Sequence, residues 1–412
     1  MSRAQRLSQT LPGDAWLVAL SVCVAACGPK PSPPDACRAG PARLVSDRPA
    51  VVLNAYYLQE EATRALRSGA TDSAVLEEVL GKAATLGAAA VRTNAFNDDP
   101  AKAGDSAIQV AKLQYDEVAL RGLDLVLARA RAHGLRLVLP LGNYWNDYGG
   151  TRQYATWAGL AAPHEGDERF FTERAVIDHY TQHVTTLLNR VSTADGLRYG
   201  EHPAVLAWEI LNEPRGRGLD PDGAQMRAWV DEVAATVKRL APAHLVSTGE
   251  EGLEVSAPQS DAAFWAAAAP ASGLFGGGSS FALNLASPFV DLGSVHLYPE
   301  AWGVPLAQVA EAGARWLSQH AEAAWLLSKP LLLGEFGLRN DGLALDDRRA
   351  IYREWFACTE TAGLAGAGPW LFANDSRPDA WDVHTFYFLD GTDPADPRNR
   401  YADIVLETAR NH

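Results

Sequence analysis

The chain has 412 residues, 47% hydrophobic and 21% charged, the balance of a protein with a large core and not of a disordered one. A formal net charge of -14, with no Lys/Arg cluster interleaved with aromatics, argues against a nucleic-acid partner, because phosphate contacts need a basic surface. After the N-terminal region no composition break separates two folded units, and an α/β barrel takes ~250 to 400 residues, so one catalytic-sized domain, monomeric by default, is expected.

The N-terminus reads as a targeting segment. Arg3 and Arg6 precede an apolar run, Ala15 to Ala26, too short to span a membrane and suited to a signal-peptide core. The run closes in "VAAC" at Cys27, which resembles a bacterial lipobox and implies removal of residues 1–26 and a lipid on Cys27. Residues 27–46, which include "GPKPSPPDACRAGPAR", are too rich in Pro, Gly and Ser to build a core and read as a tether. The expectation is export, to the outer surface or periplasmic face of a bacterial membrane or into the medium, with membrane contact only through Cys27. If Cys23 leaves and Cys27 carries lipid, Cys37 and Cys358 remain, and whether they pair is open. No CxxC or HExxH spacing is present, so neither a metal nor a cofactor is called for.

From residue 47 to 412 short apolar runs alternate with longer amphipathic ones, the order of parallel strands with crossover helices. The strands read as "VVLNAYYL" (Val51–Leu58), "AAVRTNAF" (Ala89–Phe96), "LRLVLPLGN" (Leu135–Asn143), "VLAWEILNEP" (Val205–Pro214), "LVSTGEEG" (Leu245–Gly252), "VDLGSVHLYP" (Val290–Pro299), "PLLLGEFG" (Pro330–Gly337) and "AGAGPWLF" (Ala365–Phe372). Gly134 is placed as a helix C-cap ahead of the third. Eight such units predict an α/β fold of the (β/α)8 TIM-barrel type. A doubly wound sheet is the rival, but no dinucleotide glycine fingerprint follows the first strand. "FGGGSSF" around Gly276–Gly278 lacks the Lys of a phosphate loop and reads as a plain loop.

Barrel active sites lie where the strands end. The ends here carry Arg92, Asn143, Asn212 with Glu213, Glu250, His296 with Tyr298, Glu335 and Trp370. Turn chemistry alone supplies Gly, Ser, Asn and Asp at such places, not two Glu, an Arg, a His, a Tyr and a Trp. Paired carboxylates among aromatics suggest glycoside hydrolysis, one protonating the leaving oxygen and the other attacking the anomeric carbon or activating water. Arg92 is suited to keep one carboxylate ionised, and His296 and Tyr298 to hydrogen-bond it. Glu209 shares the face of Glu213, points into the barrel and needs a partner there, which is a structural role. The twelve Trp offer flat faces for sugar rings, although most Trp fill cores. Tyr144, Trp145 and Trp302 are candidate platforms, and His384 either lines the cleft or packs in a loop.

In chain order "VRTNAFND", "YWNDYGG", "WEILNEPR", "STGEEG", "VHLYPEAWG" and "LLLGEFG" resemble glycoside hydrolase family 5, and within it the endo-β-1,4-mannanase branch. The resemblance runs from about Val51 to the C-terminus. It implies a cofactor-free retaining hydrolysis of β-1,4-mannosidic bonds in mannan, glucomannan or galactomannan. Glu213 would be the acid/base and Glu335 the nucleophile, with Arg92 and Tyr298 supporting Glu335. Asn212 would contact the sugar beside the scissile bond, and His296 and Trp370 would complete the floor of that subsite. Asn94 stands where the family often has Trp, and the stretch from Gly252 to Ser280 lengthens the loop after the fifth strand. Either change could favour short oligosaccharides, so a β-1,4-glucanase, an exo-acting β-mannosidase and a non-catalytic glycan-binding lipoprotein are the alternatives.

Overall fold

The structure, a computed structural model, describes residues 37–38, 49–270, 272–376, 382–388, 402 and 404–406. The signal segment, Cys27 and most of the tether lie outside the described residues. Eight parallel strands form one sheet: β1 (Ala50–Asn54), β2 (Ala90–Arg92), β3 (Arg136–Pro140), β4 (Val205–Glu209), β5 (Leu245–Ser247), β6 (Gly293–Leu297), β7 (Leu331–Phe336) and β8 (Gly366–Pro369). Their order is β5-β4-β3-β2-β1-β8-β7-β6. A parallel bridge between Ser247 and Leu292 joins the two outer strands and closes the barrel. Asp291 and Leu292 there donate their N–H groups to the Val246 carbonyl at 2.8 and 3.1 Å. The (β/α)8 barrel is the architecture that the alternation of elements predicts.

Local chemistry sets the crossover helices. The Asp116 side chain accepts from the N–H groups of Val118 and Ala119 and starts Glu117–Ala132. That helix ends with Gly134 at φ +69°, Leu135 N–H donating to Ala130 O and Gly134 N–H to Arg131 O. This pair of bonds is a Schellman stop, the capping role read for Gly134. Outside the barrel the helices bury Trp208, Trp229, Trp265, Trp316 and Trp355 almost completely, so those Trp fill the core.

Period-two alternation explains what fills the barrel. Val52, Ala90, Val138, Ala207, Leu292 and Leu332 form a small apolar cluster of their own. Two residues further along the same face stand Asn54, Arg92, Pro140, Glu209, Ser294 and Gly334. The plug is therefore greasy below and polar one layer above. The absence of a side chain at Gly368 lets Asn54 Nδ2 reach the Gly334 and Gly368 carbonyls at 2.9 and 3.0 Å. A Cβ on Gly368 would sit 2.9 Å from that nitrogen.

Every sequence-read strand overran its true end. β1 stops at Asn54 and not Leu58, β4 at Glu209 and not Pro214, and β5 at Ser247 and not Gly252. Past those ends the chain leaves the extended form: Leu58 starts a helix, and Glu213, Gly249 and Gly252 take positive φ.

Cys37 and Cys358 form a disulfide that spans 321 positions. Arg38 follows it, donating through Nη2 to both carboxylate oxygens of Asp261 at 2.8 and 2.7 Å. Two residues of the tether stretch are thus fastened to the barrel wall. No helix among the described residues is long and apolar enough to cross a membrane.

Candidate active site

The polar layer widens at the carboxyl ends of the strands into a cleft of about 830 Å³. Arg92, at the end of β2 and only 3% exposed, organises its floor. Its Nε donates to Glu209 Oε2 at 2.8 Å and its Nη2 to Asn212 Oδ1 at 2.7 Å, while Nη1 donates to Glu335 Oε1. Glu209 is fully buried and has the partner its position demands. Carboxylates on both sides hold the Arg92 guanidinium above its ordinary value despite burial, so it is a fixed cation.

Glu335 sits near the end of β7, and its second oxygen accepts from the Tyr298 hydroxyl at 2.7 Å. Two donors on two oxygens fix the plane of this carboxylate.

Glu213 lies beyond β4 in the left-handed region, at φ +52°. A non-glycine residue held there costs on the order of 1 kcal/mol or more, and such strain gathers at functional positions. Its N–H donates to the Gly249 carbonyl at 2.8 Å, and Asn212 N–H to Gly142 at 2.8 Å. Gly249 must be glycine for this approach: it has φ +72°, and a Cβ there would sit 2.2 Å from the Leu211 carbonyl. The carboxylate accepts from the Trp145 indole N–H at 2.5 Å on Oε2 and pairs with His296 Nδ1 at 2.6 Å on Oε1. Burial favours the neutral acid, but the hydrogen bond from His296, its charge, the indole and Arg215 together hold Glu213 down at about 2. Burial opposes charge on His296, yet Glu335 and Glu213 raise it above its ordinary value. The two groups are thus joined by one 2.6 Å hydrogen bond and titrate as a pair.

Glu213, His296 and Glu335 also form the one His/Cys/Asp/Glu group among the described residues close enough to share an ion, each offering an atom within 4.8 Å of the others. Hydrogen bonds from Arg92, Tyr298, Trp145 and His296 already occupy these carboxylates, which suits the group to proton and glycosyl transfer better than to metal ligation.

The structure brings Arg92, Asn143, Asn212, Glu213, Tyr298, Glu335, Trp370, Trp302 and Trp145 to one cleft, with His296 buried just beneath it and His384 in its wall. Several readings need correction. Trp145 is not an open platform: the Arg215 guanidinium covers its ring at 4.6 Å and its N–H is spent on Glu213. Tyr144 is 4% exposed with its ring edge-on to Trp145, so it is a packing residue. Trp302 touches the cleft but packs on Trp316 at 4.8 Å with 7% exposure. Glu250 does not reach the cleft: it is buried against Asn284, whose Nδ2 donates to it at 3.2 Å, and burial pushes it up to about 7.

Some site residues were missed. Tyr56 stacks on Trp370 at 5.3 Å with 7° between the rings, a broad aromatic wall whose signal was the Tyr-Tyr pair just past β1. Glu251, Arg215, Arg217 and Lys102 line the cleft as well. Arg215 stood in the quoted "NEPR" and Glu251 in "GEEG", with no pattern to separate Glu251 from Glu250. Asn94 does line the cleft, half-buried, and Ser272 of the lengthened loop reaches it.

The family described as GH family 5 beta-mannosidase-like matches residues 45–402. A relative from Oryza sativa subsp. japonica is 39% identical over 357 residues, covering 81% of this chain and 65% of its own length. Mannan endo-1,4-beta-mannosidase 1 of the same plant is 36% identical over 321 residues, covering 76% of this chain and 71% of its own. The chain therefore spans somewhat less than two thirds of the first relative and a little more of the second. The solved endo-beta-1,4-mannanase from Thermotoga petrophila superposes with a TM-score of 0.75 at 26% identity, over 90% of this chain and 78% of that one. Matched across most of its length and carrying the eight-stranded barrel with its two strand-end carboxylates, the chain belongs to glycoside hydrolase family 5, in the β-mannosidase-like group.

Proposed function

We propose that the protein is a retaining endo-β-1,4-mannanase that cuts mannan, glucomannan or galactomannan by double displacement. The observation that carries the mechanism is the spacing of the two carboxylates: one oxygen of each lies within 4.8 Å of the other's and of the same imidazole nitrogen. Retaining pairs stand ~5 to 5.5 Å apart and inverting pairs ~6.5 to 9.5 Å, which leave room for a water. Glu335, gripped by Arg92 and Tyr298, cannot rotate away and attacks the anomeric carbon. Glu213 delivers a proton to the leaving oxygen, then takes one from the water that opens the glycosyl-enzyme. Asn212 holds the sugar beside the scissile bond, and Trp370, backed by Tyr56, packs on its apolar face. The names of the relatives support mannan as the polymer. We further propose export, by the signal read in residues 1–26, with the lipid on Cys27 as anchor.

The test is release of reducing ends from linear β-1,4-mannan and from a soluble cellulose derivative, with wild type and Glu335→Ala. Activity on mannan that vanishes in the variant is expected. Activity on the cellulose derivative alone would make the protein a β-1,4-glucanase, and mannose as the sole product from mannohexaose would refute endo action. A folded protein silent on both polymers would refute the enzyme reading and favour a glycan-binding lipoprotein, with Asn94 the leading suspect.

A further inference from the structure

Beside the two carboxylates the cleft holds a third, Glu251, for which the double displacement has no use. It is 3% exposed and clamps Arg215 from both sides, Nε to Oε2 at 2.5 Å and Nη2 to Oε1 at 2.7 Å. Arg215 lies flat over the Trp145 ring at 4.6 Å, and the Trp145 N–H holds Glu213 Oε2 at 2.5 Å. The Glu251 backbone serves the same end, since its carbonyl accepts from His296 N–H at 3.1 Å. Glu251, in the loop after β5, therefore braces both partners of Glu213, through a guanidinium and an indole on one side and its own backbone carbonyl on the other.

We propose that Glu251 and Arg215 are positioning residues for the acid/base, a charged brace that orients Trp145 against Glu213 and sets how firmly Glu213 holds its proton. The proposal rests on the acid/base reading of Glu213. An exposed surface pair would not be built this way: the guanidinium and the carboxylate are both nearly buried, where an ion pair is retained for geometry more than for stability. Charge supports the same view. Burial and the Glu213 carboxylate push Glu251 up to about 7, with Arg215 and His296 pulling the other way. Above that pH Glu251 adds a negative charge that helps the Glu213–His296 pair keep a proton. The other charged and titratable groups facing Glu213 are His296 and Tyr298 from β6 and the loop after it, Glu335 from β7 and Arg92 from β2. Arg217 lies near Tyr144, and Asp382 and His384 lie near Tyr298.

The experiment compares kcat/KM against pH for wild type, Glu251→Gln, Glu251→Asp and Trp145→Phe, on mannohexaose and on an aryl β-mannobioside with a dinitrophenolate leaving group that needs no proton. The basic limb of kcat/KM reports the acid of the free enzyme. Glu251→Gln removes a negative charge and leaves Arg215 positive, so the basic limb on mannohexaose moves down by about 0.5 to 1 pH unit. Trp145→Phe removes a donor to the carboxylate, so the limb moves up by a similar amount. Glu251→Asp restores most of the wild-type profile. The loss in Glu251→Gln on mannohexaose exceeds that on the aryl substrate by tenfold or so. An unmoved limb, two limbs moving the same way, or equal losses on both substrates overturn the proposal. A rise in KM alone, with an altered product pattern, also overturns it and makes Arg215 a sugar contact. Glu213→Ala separates this from failure of the underlying reading: if it keeps activity on mannohexaose, or loses the aryl substrate as severely, Glu213 is not the acid. Glu251→Gln that does not fold leaves Trp145→Phe, which retains the ion pair, to decide by its upward or absent shift.

Discussion

Arg92→Met separates what the guanidinium does for the fold from what it does for the reaction. Arg92 faces two carboxylates at once, and the two limbs have different consequences. Glu209 is fully buried, its Oε1 has no hydrogen-bond partner among the described residues, and Arg92 serves its Oε2. Removing the cation strands a charge in the barrel, which costs ~3 to 5 kcal/mol when a buried pair is broken from one side. Glu335 keeps the Tyr298 hydroxyl but loses a charge-assisted hydrogen bond worth ~1.5 to 3 kcal/mol. If that bond is tighter in the transition state, kcat/KM falls by about 10- to 150-fold. The double variant Arg92→Met/Glu209→Gln makes the two limbs independent. Neutralising the stranded acid recovers most of the lost stability and none of the lost activity. Urea melts at neutral pH give the first quantity and mannohexaose kinetics the second. A single variant within about 1 kcal/mol of wild type, or a double variant that recovers rate together with stability, would show that the reasoning about Glu209 is wrong.

The Glu213–His296 pair makes stability depend on pH in a stated window. Glu213, held at about 2 against a reference of 4.5, contributes stability above 4.5 that is lost as pH falls toward 2. His296, raised above 6.5, contributes below 6.5 and loses that contribution as pH rises through its folded value. Thermal melts should therefore show a plateau between those references, and His296→Asn should flatten both flanks; unchanged flanks would refute the pairing. The Cys37–Cys358 bond closes a loop of 321 positions, so in the chain-entropy account Cys37→Ser costs about 6 kcal/mol. Dithiothreitol should lower the melting point of wild type to that of the variant and leave the variant unmoved. Gly249→Ala, which drives a Cβ to 2.2 Å from the Leu211 carbonyl at a positive φ, should cost at least about 1 to 3 kcal/mol and depress kcat more than KM, because Glu213 hangs on the Gly249 carbonyl.

The barrel was legible because it rests on period, and the two carboxylates because they stand where strands end. Apolar runs of strand length between helical runs fix the number of units, and Arg92, Glu209 and the Ser294–His296 pair fall on the inward parity of their strands. Parity was lost where strands stopped early. β5 ends at Ser247, so alternation could not tell which of Glu250 and Glu251 faces the cleft, and the wrong one was singled out. Trp145 was misread for a related reason: its chemistry depends on Arg215, which lies seventy positions on and approaches only when the loops after β3 and β4 fold over each other. Tyr144 offered an aromatic face as good as any in composition, and only packing shows it turned inward.

The site is thus made by interrupting the rules that make the barrel. One layer below, the same inward positions carry Val52, Ala90, Val138 and Ala207, and packing them alone would continue an apolar plug. Putting Asn54, Arg92 and Glu209 above it gains little stability, since buried ion pairs roughly break even against apolar residues of similar size. What the polar layer gains is fixed orientation. Arg92 is held by Glu209 from below, so it meets Glu335 from one direction. Glu213, held in a left-handed turn by Gly249, meets His296 and Trp145 from two others. With both carboxylates locked before any sugar arrives, the cost of ordering them is borne by folding and not by catalysis, which is where a preorganised site draws its rate.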